Sequence, residues 1–143
     1  MIIRNVLETD FPEVMRIGQR YSEETVIGTM TKEQLLTIAR VCKDNGIAIL
    51  AEDDIGVIGV IAGHFIEGMA MGKFCEEVIW YVEPEHRGIG LMLFERFMDA
   101  CEESGCDGVA MSAYNNRYLK VVDRLYKNNG FKEVDRKYYK SFK

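Results

Sequence analysis

Between Ile47 and Pro84 the chain is almost continuous strand-forming sequence, IAILAED, VIGVIAGHFIE and FCEEVIWYVEP. The first two segments are apolar and joined by a short acidic turn around Asp53, Asp54 and Gly56, which makes them a hairpin. GMAMGK then reads as a flexible break, and Pro84 ends the third segment because proline cannot donate to a strand ladder. Three strands in a row with no helix between them point to a mixed sheet rather than a doubly wound parallel one.

Helical periodicity brackets this block. MIIRNVL opens as a short strand and ETDFPEVMRIGQRYSEE follows as a helix. Thr9 or Asp10 is placed to cap it, with Pro12 in the first turn and Val14, Ile17 and Tyr21 spaced for one face. TKEQLLTIARVCKDNG is a second helix, with Thr31 and Gln34 fitting a capping box and Gly46 standing where a helix end favours glycine. Residues 88–104 form an amphipathic helix carrying Leu93, Phe94, Phe97, Met98 and Cys101 on one side. DGVAMSAY reads as a strand, NRYLKVVDRLYKNNG as a helix ending at glycine, and FKEVDRKYYKSF as one or two closing strands. In the last helix Tyr118, Val122 and Leu125 are spaced to face the sheet, with Tyr126 beside that stripe. The predicted order is β-α-α-β-β-β-α-β-α-β. This is a single α/β domain over residues 1–143, a mixed sheet flanked by about four helices.

Composition removes several function classes. Four cysteines without C-x-x-C spacing, and only two histidines, point to buried reduced thiols rather than a metal site. A net charge of −5 argues against a general nucleic-acid binder. The charge is uneven: residues 116–143 carry +6 and residues 1–115 carry −11. That split suits phosphate near the C-terminal part and a cationic substrate elsewhere. No apolar run approaches the roughly 18 residues of a membrane span, and the N-terminus lacks a signal-peptide pattern. The expectation is a cytoplasmic protein with no membrane partner.

One strand-to-helix junction carries chemistry. In YVEPEHRGIGLMLFERF a strand turns through Arg87, Gly88 and Gly90 directly into a helix. Glycines let a ligand approach the backbone, and a helix N-terminus offers N–H donors and a partial positive charge, which suits a pyrophosphate. Arg87 adds a possible charge-assisted contact. A Rossmann site would need a third glycine where Leu93 stands and an earlier place in the fold. A P-loop would need G-K-[ST] after the turn.

Together with LYKNNGF downstream, this junction resembles the GNAT superfamily of N-acetyltransferases, over most of the chain. YVEPEHRGIG is similar to that family's strand and acetyl-CoA pyrophosphate loop, and NRYLKVVDRLYKNNGF to its N…LYxxxGF segment. The loop departs from the common [Q/R]-x-x-G-x-[G/A] pattern. Aligned by Leu93 and Phe94, Gly88 and Gly90 take the two small positions and Glu85 stands where Gln or Arg is usual.

The resemblance implies acetyl-CoA as co-substrate, bound in a V-shaped opening between the strands at 75–83 and 107–113. It implies that the N–H groups of Arg87, Gly88, Ile89, Gly90 and Leu91 hold the pyrophosphate. The backbone of Trp80, Tyr81 and Val82 would pair with the pantetheine, and Asn115 or Asn116 would hold cofactor or an ordered water. Tyr126 matches the general acid beside the thioester sulfur. Glu76 and Glu77 are the candidate bases, and strand alternation sends at most one of them into the cleft. His64 reads as core or rim and Cys75 as packing. The implied reaction is direct transfer of an acetyl group to a primary amine of a small molecule or protein. The alternative is a catalytically weak acyl-CoA-binding or partner-binding module. A homodimer is left open.

Overall fold

The computed structural model describes residues 1–25 and 28–143, with the side chains of Met69 and Arg87 outside the described residues. One five-stranded sheet runs in chain order: β1 Ile2–Asn5, β2 Gly46–Glu52, β3 Val57–Met69, β4 Gly72–Val82 and β5 Gly108–Ala110. The first four strands are antiparallel neighbours, and β5 joins β4 in parallel. Helices α1 (Phe11–Glu23) and α2 (Lys32–Asp44) precede β2, α3 (Gly90–Glu103) connects β4 to β5, and α4 (Leu119–Asn128) follows β5.

The sheet divides two cores, and strand alternation assigns residues to each. On one face Ile49, Ala51, Ile61, Cys75 and Val82 pack with Leu93, Phe97, Ala100 and Cys101 of α3. On the other, Leu50, Val60 and Tyr81 pack with Phe11, Ile17 and Tyr21 of α1. Ile17, Ile49, Ile61 and Phe97 are fully buried, each removal from water stabilising the fold by about 1.5–3 kcal/mol. All four cysteines are free, and Cys42, Cys75 and Cys101 are buried. Among the described residues no helix is long and apolar enough to cross a membrane.

The capping box of α2 forms as its sequence indicates. Thr31 Oγ1 accepts the Gln34 N–H at 3.1 Å, and Gln34 Oε1 accepts the Thr31 N–H at 2.9 Å. Elsewhere local signals are overridden. Asp10 does not cap α1; its carboxylate accepts the Leu7 N–H at 2.7 Å and pairs with Arg4 at 2.7 Å. Gly46 does not end α2 but begins β2, where a Cβ would run into the Gly63 carbonyl oxygen of the neighbouring strand. GMAMGK is no break: β3 and β4 continue through it to a tight turn, with Gly68 and Gly72 at positive φ.

Two expectations fail at the far edge. The strand predicted from DGVAMSAY pairs only over Gly108–Ala110, because its neighbour β4 diverges after Glu76. The closing strands predicted from FKEVDRKYYKSF do not form within the chain. Phe131 is held against Tyr126 and Phe94, with ring centroids 5.4 and 6.1 Å away, and the residues after it find no neighbouring strand.

Candidate active site

Where β5 leaves β4, the sheet opens. The last matched pair of β4 and β5 is Glu76 with Ala110, and among the described residues no strand pairs with β4 on that side from Glu77 to Val82. At the same point the β3–β4 register slips: Ala62 pairs with Ile79 and Gly63 with Glu77, leaving Val78 as an extra residue. Such a bulge bends a strand and re-aims its side chains. Gly63 opposite it is required sterically, since a Cβ there would lie 2.6 Å from the Glu76 carbonyl oxygen and 2.9 Å from the Cys75 sulfur.

Strand alternation, just ahead of the bulge, sends the two glutamates to opposite faces. Glu77 is buried, only 5% exposed, and accepts a long hydrogen bond from the Ser112 N–H at 3.4 Å. Burial, reinforced by the charge of Glu76, pushes its carboxyl up to about 8, against the opposing Ser112 contact. Glu76 is half-buried and faces His64, 3.9 Å away. The structure therefore brings Glu77, not Glu76, together with the other polar groups of the opening.

Tyr126 is the buried residue of α4. Its ring lies among Trp80, Phe94 and Phe131, at centroid distances of 6.5, 6.4 and 5.4 Å, and its hydroxyl donates to the Ser112 carbonyl at 2.6 Å. Burial, and then the charge of Glu77, hold that phenol well above the usual tyrosine range, so it stays protonated. Ser112 thus presents its N–H to the candidate base and its carbonyl to the candidate acid.

Two further tyrosines complete the cluster. The Tyr21 hydroxyl reaches the Val78 carbonyl at the bulge (3.4 Å), and its ring meets Tyr114 edge-on at 6.0 Å. Its phenol is raised first by burial and next by Glu77. From sequence, Tyr21 was only the last apolar member of the α1 stripe. Nothing in that spacing foretells a hydroxyl aimed at a strand 57 residues away.

Below the opening, residues Pro84–Ile89 form a tight turn kinked at His86 that feeds α3. Leu93 and Phe94 are buried and Glu95 exposed, the packing expected when Gly88 and Gly90 occupy the loop's two small positions. A Cβ on Gly88 would meet nothing within 4 Å, and one on Gly90 would make only ordinary contacts with Val82 and Trp80. The fold itself does not demand glycine at either place. Helix α3 also has no side-chain cap and no acidic residue in its first turn, whereas α2 has both. An N-terminus left in this state suits an anion.

The remaining predicted residues are placed as follows. Trp80, stacked on Phe94 at 5.4 Å, lies half-buried, while the side chains of Tyr81 and Val82 enter the two cores. Only the backbone of these two remains for a ligand. Ile89 packs against the α3 core and Leu91 is exposed. Arg87 contributes backbone to the turn; its side chain lies outside the described residues. Asn116 is committed to the chain, its side chain accepting the Tyr118 N–H at 2.9 Å ahead of α4, whereas Asn115 is exposed.

Glu83 is a residue the sequence did not mark. It is buried at the end of β4 and held by Arg20 at 2.6 Å and Arg16 at 3.0 Å, which ties α1 to the entry of the loop.

Comparison with known proteins follows this geometry. A predicted acetyltransferase with acetyl-CoA from Clostridium acetobutylicum superposes with a TM-score of 0.76 at 18% identity, covering 98% of this chain and 95% of that one. A ribosomal-protein-alanine N-acetyltransferase from Brucella melitensis biovar Abortus 2308 gives 0.75 at 17%, covering 99% and 100%. An aminoglycoside 6'-N-acetyltransferase from Acinetobacter haemolyticus gives 0.69 at 17%, covering 100% and 99%. At these identities the likeness is one of fold. No curated protein sequence matches the chain significantly. The model of the acetyltransferase (GNAT) family matches residues 8–131, from the start of the first helical turn to the phenylalanine that packs on Tyr126. The chain belongs to the acetyltransferase (GNAT) family.

Proposed function

We propose that the chain transfers the acetyl group of acetyl-CoA to a primary amine, with Glu77 as base and Tyr126 as acid. The observation that carries this reading is the pairing of a buried carboxyl raised to about 8 with a protonated phenol, both on Ser112, at the point where β4 and β5 separate. The uncapped start of α3 lies at the far end of the same strand and would receive the pyrophosphate, with Gly88 and Gly90 leaving room for it. The edge of β4 beyond the reach of β5, from Trp80 to Val82, would hydrogen-bond the pantetheine as an added strand does.

In this arrangement the acceptor enters as an ammonium and gives a proton to ionised Glu77. The free amine attacks the thioester carbonyl, forming the C–N bond; the C–S bond then breaks, the sulfur takes the Tyr126 proton, and the nitrogen gives its second proton to solvent. Glu77 and Tyr126 regain their starting states through solvent. No covalent enzyme intermediate is needed, so the protein's task is positioning and proton transfer. The net charge of −11 over residues 1–115 favours a cationic acceptor, a small molecule or a protein amine. An aminoglycoside acetyltransferase and a ribosomal-protein-alanine acetyltransferase among the structural neighbours fit either class.

The test is a thermal-shift and thiol-release screen. Acetyl-CoA is expected to raise the melting temperature, and at least one amine in a panel of polyamines, aminoglycosides and peptides is expected to release free CoA. Stabilisation with no thiol release across the panel would instead indicate a binding module. No stabilisation by acetyl-CoA would overturn the reading.

A further inference from the structure

The acid–base pair on Ser112 leaves two phenols of the opening without a task. Tyr21, in the last turn of α1, is only 7% exposed, and Tyr114, two residues past Ser112, is half-buried. Their rings meet edge-on at 6.0 Å, and the Tyr21 ring meets Tyr81 of β4 in the same way at 6.5 Å. A tyrosine needed only for packing could be phenylalanine. Here the hydroxyl is aimed at the carbonyl of Val78, the residue that the bulge leaves outside the ladder.

That contact is long. The Tyr21 oxygen lies 3.4 Å from the Val78 carbonyl, beyond the roughly 2.5–3.0 Å of a firm O–H bond, and a hydroxyl has two lone pairs besides its proton. Burial first, then the charge of Glu77, then a hydrogen bond with the Tyr114 side chain hold the Tyr21 phenol above the usual tyrosine range, so it stays neutral. Those causes place the Glu77 carboxyl and both phenol groups within electrostatic reach of one another.

Glu77 is short of donors. Among the described residues its hydrogen-bond partner is the Ser112 N–H at 3.4 Å, and it is 5% exposed, so water cannot make up the difference. Once ionised it is a buried carboxylate with neutral phenol oxygens beside it. The partner that fits has a positive charge, several N–H donors and no acceptor, and a primary ammonium has three such donors. We propose, on the acetyl-transfer reading, that Tyr21 and Tyr114 complete an ammonium site with Glu77. The two phenol oxygens and the carboxylate each accept one N–H of the acceptor, and the site thereby selects primary over N-methylated amines.

The margin of this site is apolar. Met30, Ile79 and Tyr114 are half-buried and pack at the border of the α1-side core, where they keep surface for a ligand. An aliphatic stem behind the ammonium suits them. The acceptor class is a primary ammonium on an aliphatic stem. An N-methylated amine brings fewer donors and leaves a buried oxygen unpaired, which a site built on hydrogen bonds penalises more than the loss of an apolar contact.

The experiment compares 1,5-diaminopentane with its N,N'-dimethyl derivative. Thiol release gives kcat and KM, calorimetry gives acetyl-CoA affinity, and tyrosine ring signals in NMR spectra of the CoA-bound protein report amine binding without turnover. The wild type is expected to favour the diamine by about a hundredfold in kcat/KM. Tyr21→Phe and Tyr114→Phe keep their rings, so circular dichroism should not change. Each is expected to raise the KM of the diamine about tenfold, narrow the preference and leave acetyl-CoA affinity unchanged. Variants with wild-type KM and preference, or with acetyl-CoA affinity falling in step with KM, would overturn the ammonium site. Should neither amine be turned over, the ring signals decide. Saturable shifts of Tyr21 and Tyr114 with the diamine but not its derivative uphold the site, and their absence overturns it. Failure of the transfer reading shows separately, as a wild type that does not bind acetyl-CoA.

Discussion

Glu77 and Tyr126 are held by opposite backbone groups of one residue, the carboxylate on the Ser112 N–H at 3.4 Å and the phenol on its carbonyl at 2.6 Å. The two contacts differ in strength, and the difference matters. The long bond leaves Glu77 poorly compensated, which is why burial dominates and its carboxyl rises. The short one commits the Tyr126 proton, so the hydroxyl must turn from Ser112 to reach a departing sulfur.

Removing that hydroxyl separates catalysis from binding. Tyr126→Phe keeps the ring among Trp80, Phe94 and Phe131 and should leave the acetyl-CoA dissociation constant unchanged by calorimetry. Turnover should fall roughly 10²–10⁴-fold, and stability by about 1 kcal/mol for the lost hydrogen bond. Equal losses in turnover and binding would make the residue structural.

Glu77 predicts a pH signature in both activity and stability. Its carboxyl titrates near 8 in the folded protein against 4.5 for the free group, so the native state holds a proton the unfolded state has released. Stability from this group is therefore full below about pH 4.5 and declines as pH rises toward 8. Activity runs the other way, because the base works only when ionised: kcat should climb with pH through a midpoint near 8. Glu77→Gln should abolish that limb and raise the melting temperature more at pH 9 than at pH 5. A melting-temperature change independent of pH would show that Glu77 is not buried and protonated.

The glycines divide by what their neighbours forbid. A side chain on Gly88 meets open space, so Gly88→Val should keep stability within about 0.5 kcal/mol while weakening acetyl-CoA at least tenfold. At Gly63 a Cβ collides with the Glu76 carbonyl and Cys75 sulfur, and Gly63→Ala should cost about 1–3 kcal/mol in urea unfolding.

Glu83 is predicted to be a structural carboxylate. Glu83→Gln removes the charge that draws Arg16 and Arg20 together, and those arginines are themselves half in water. A loss of about 1–3 kcal/mol is expected from denaturation. Unchanged stability would mean that the ion pairs break even against hydration.

Local signals made much of this fold legible. The Thr31–Gln34 capping box, the acidic hairpin turn and the Leu93–Phe94 packing all appear where the periodicity puts them. Tyr126 and the Gly88-x-Gly90 junction were visible because a fixed motif carries them. What escaped depends on contacts between distant segments. The Val78 bulge arises from register against β3, and alternation alone does not say which of the two glutamates faces the opening. Tyr21 gains its role by reaching that bulge. The closing strands were misjudged for a related reason: β-propensity describes a segment, but a strand also needs a neighbour.

The central claim is that Glu77, at the parting of β4 and β5, takes a proton from an amine that attacks acetyl-CoA. Thiol release measured from pH 6 to 9.5 on the wild type and Glu77→Gln, with an acceptor found in the amine screen, tests it most directly. The account predicts a wild-type profile rising through a midpoint near pH 8 and a variant at least a hundredfold slower with that rise gone. A variant that keeps the wild-type rate and profile would contradict it.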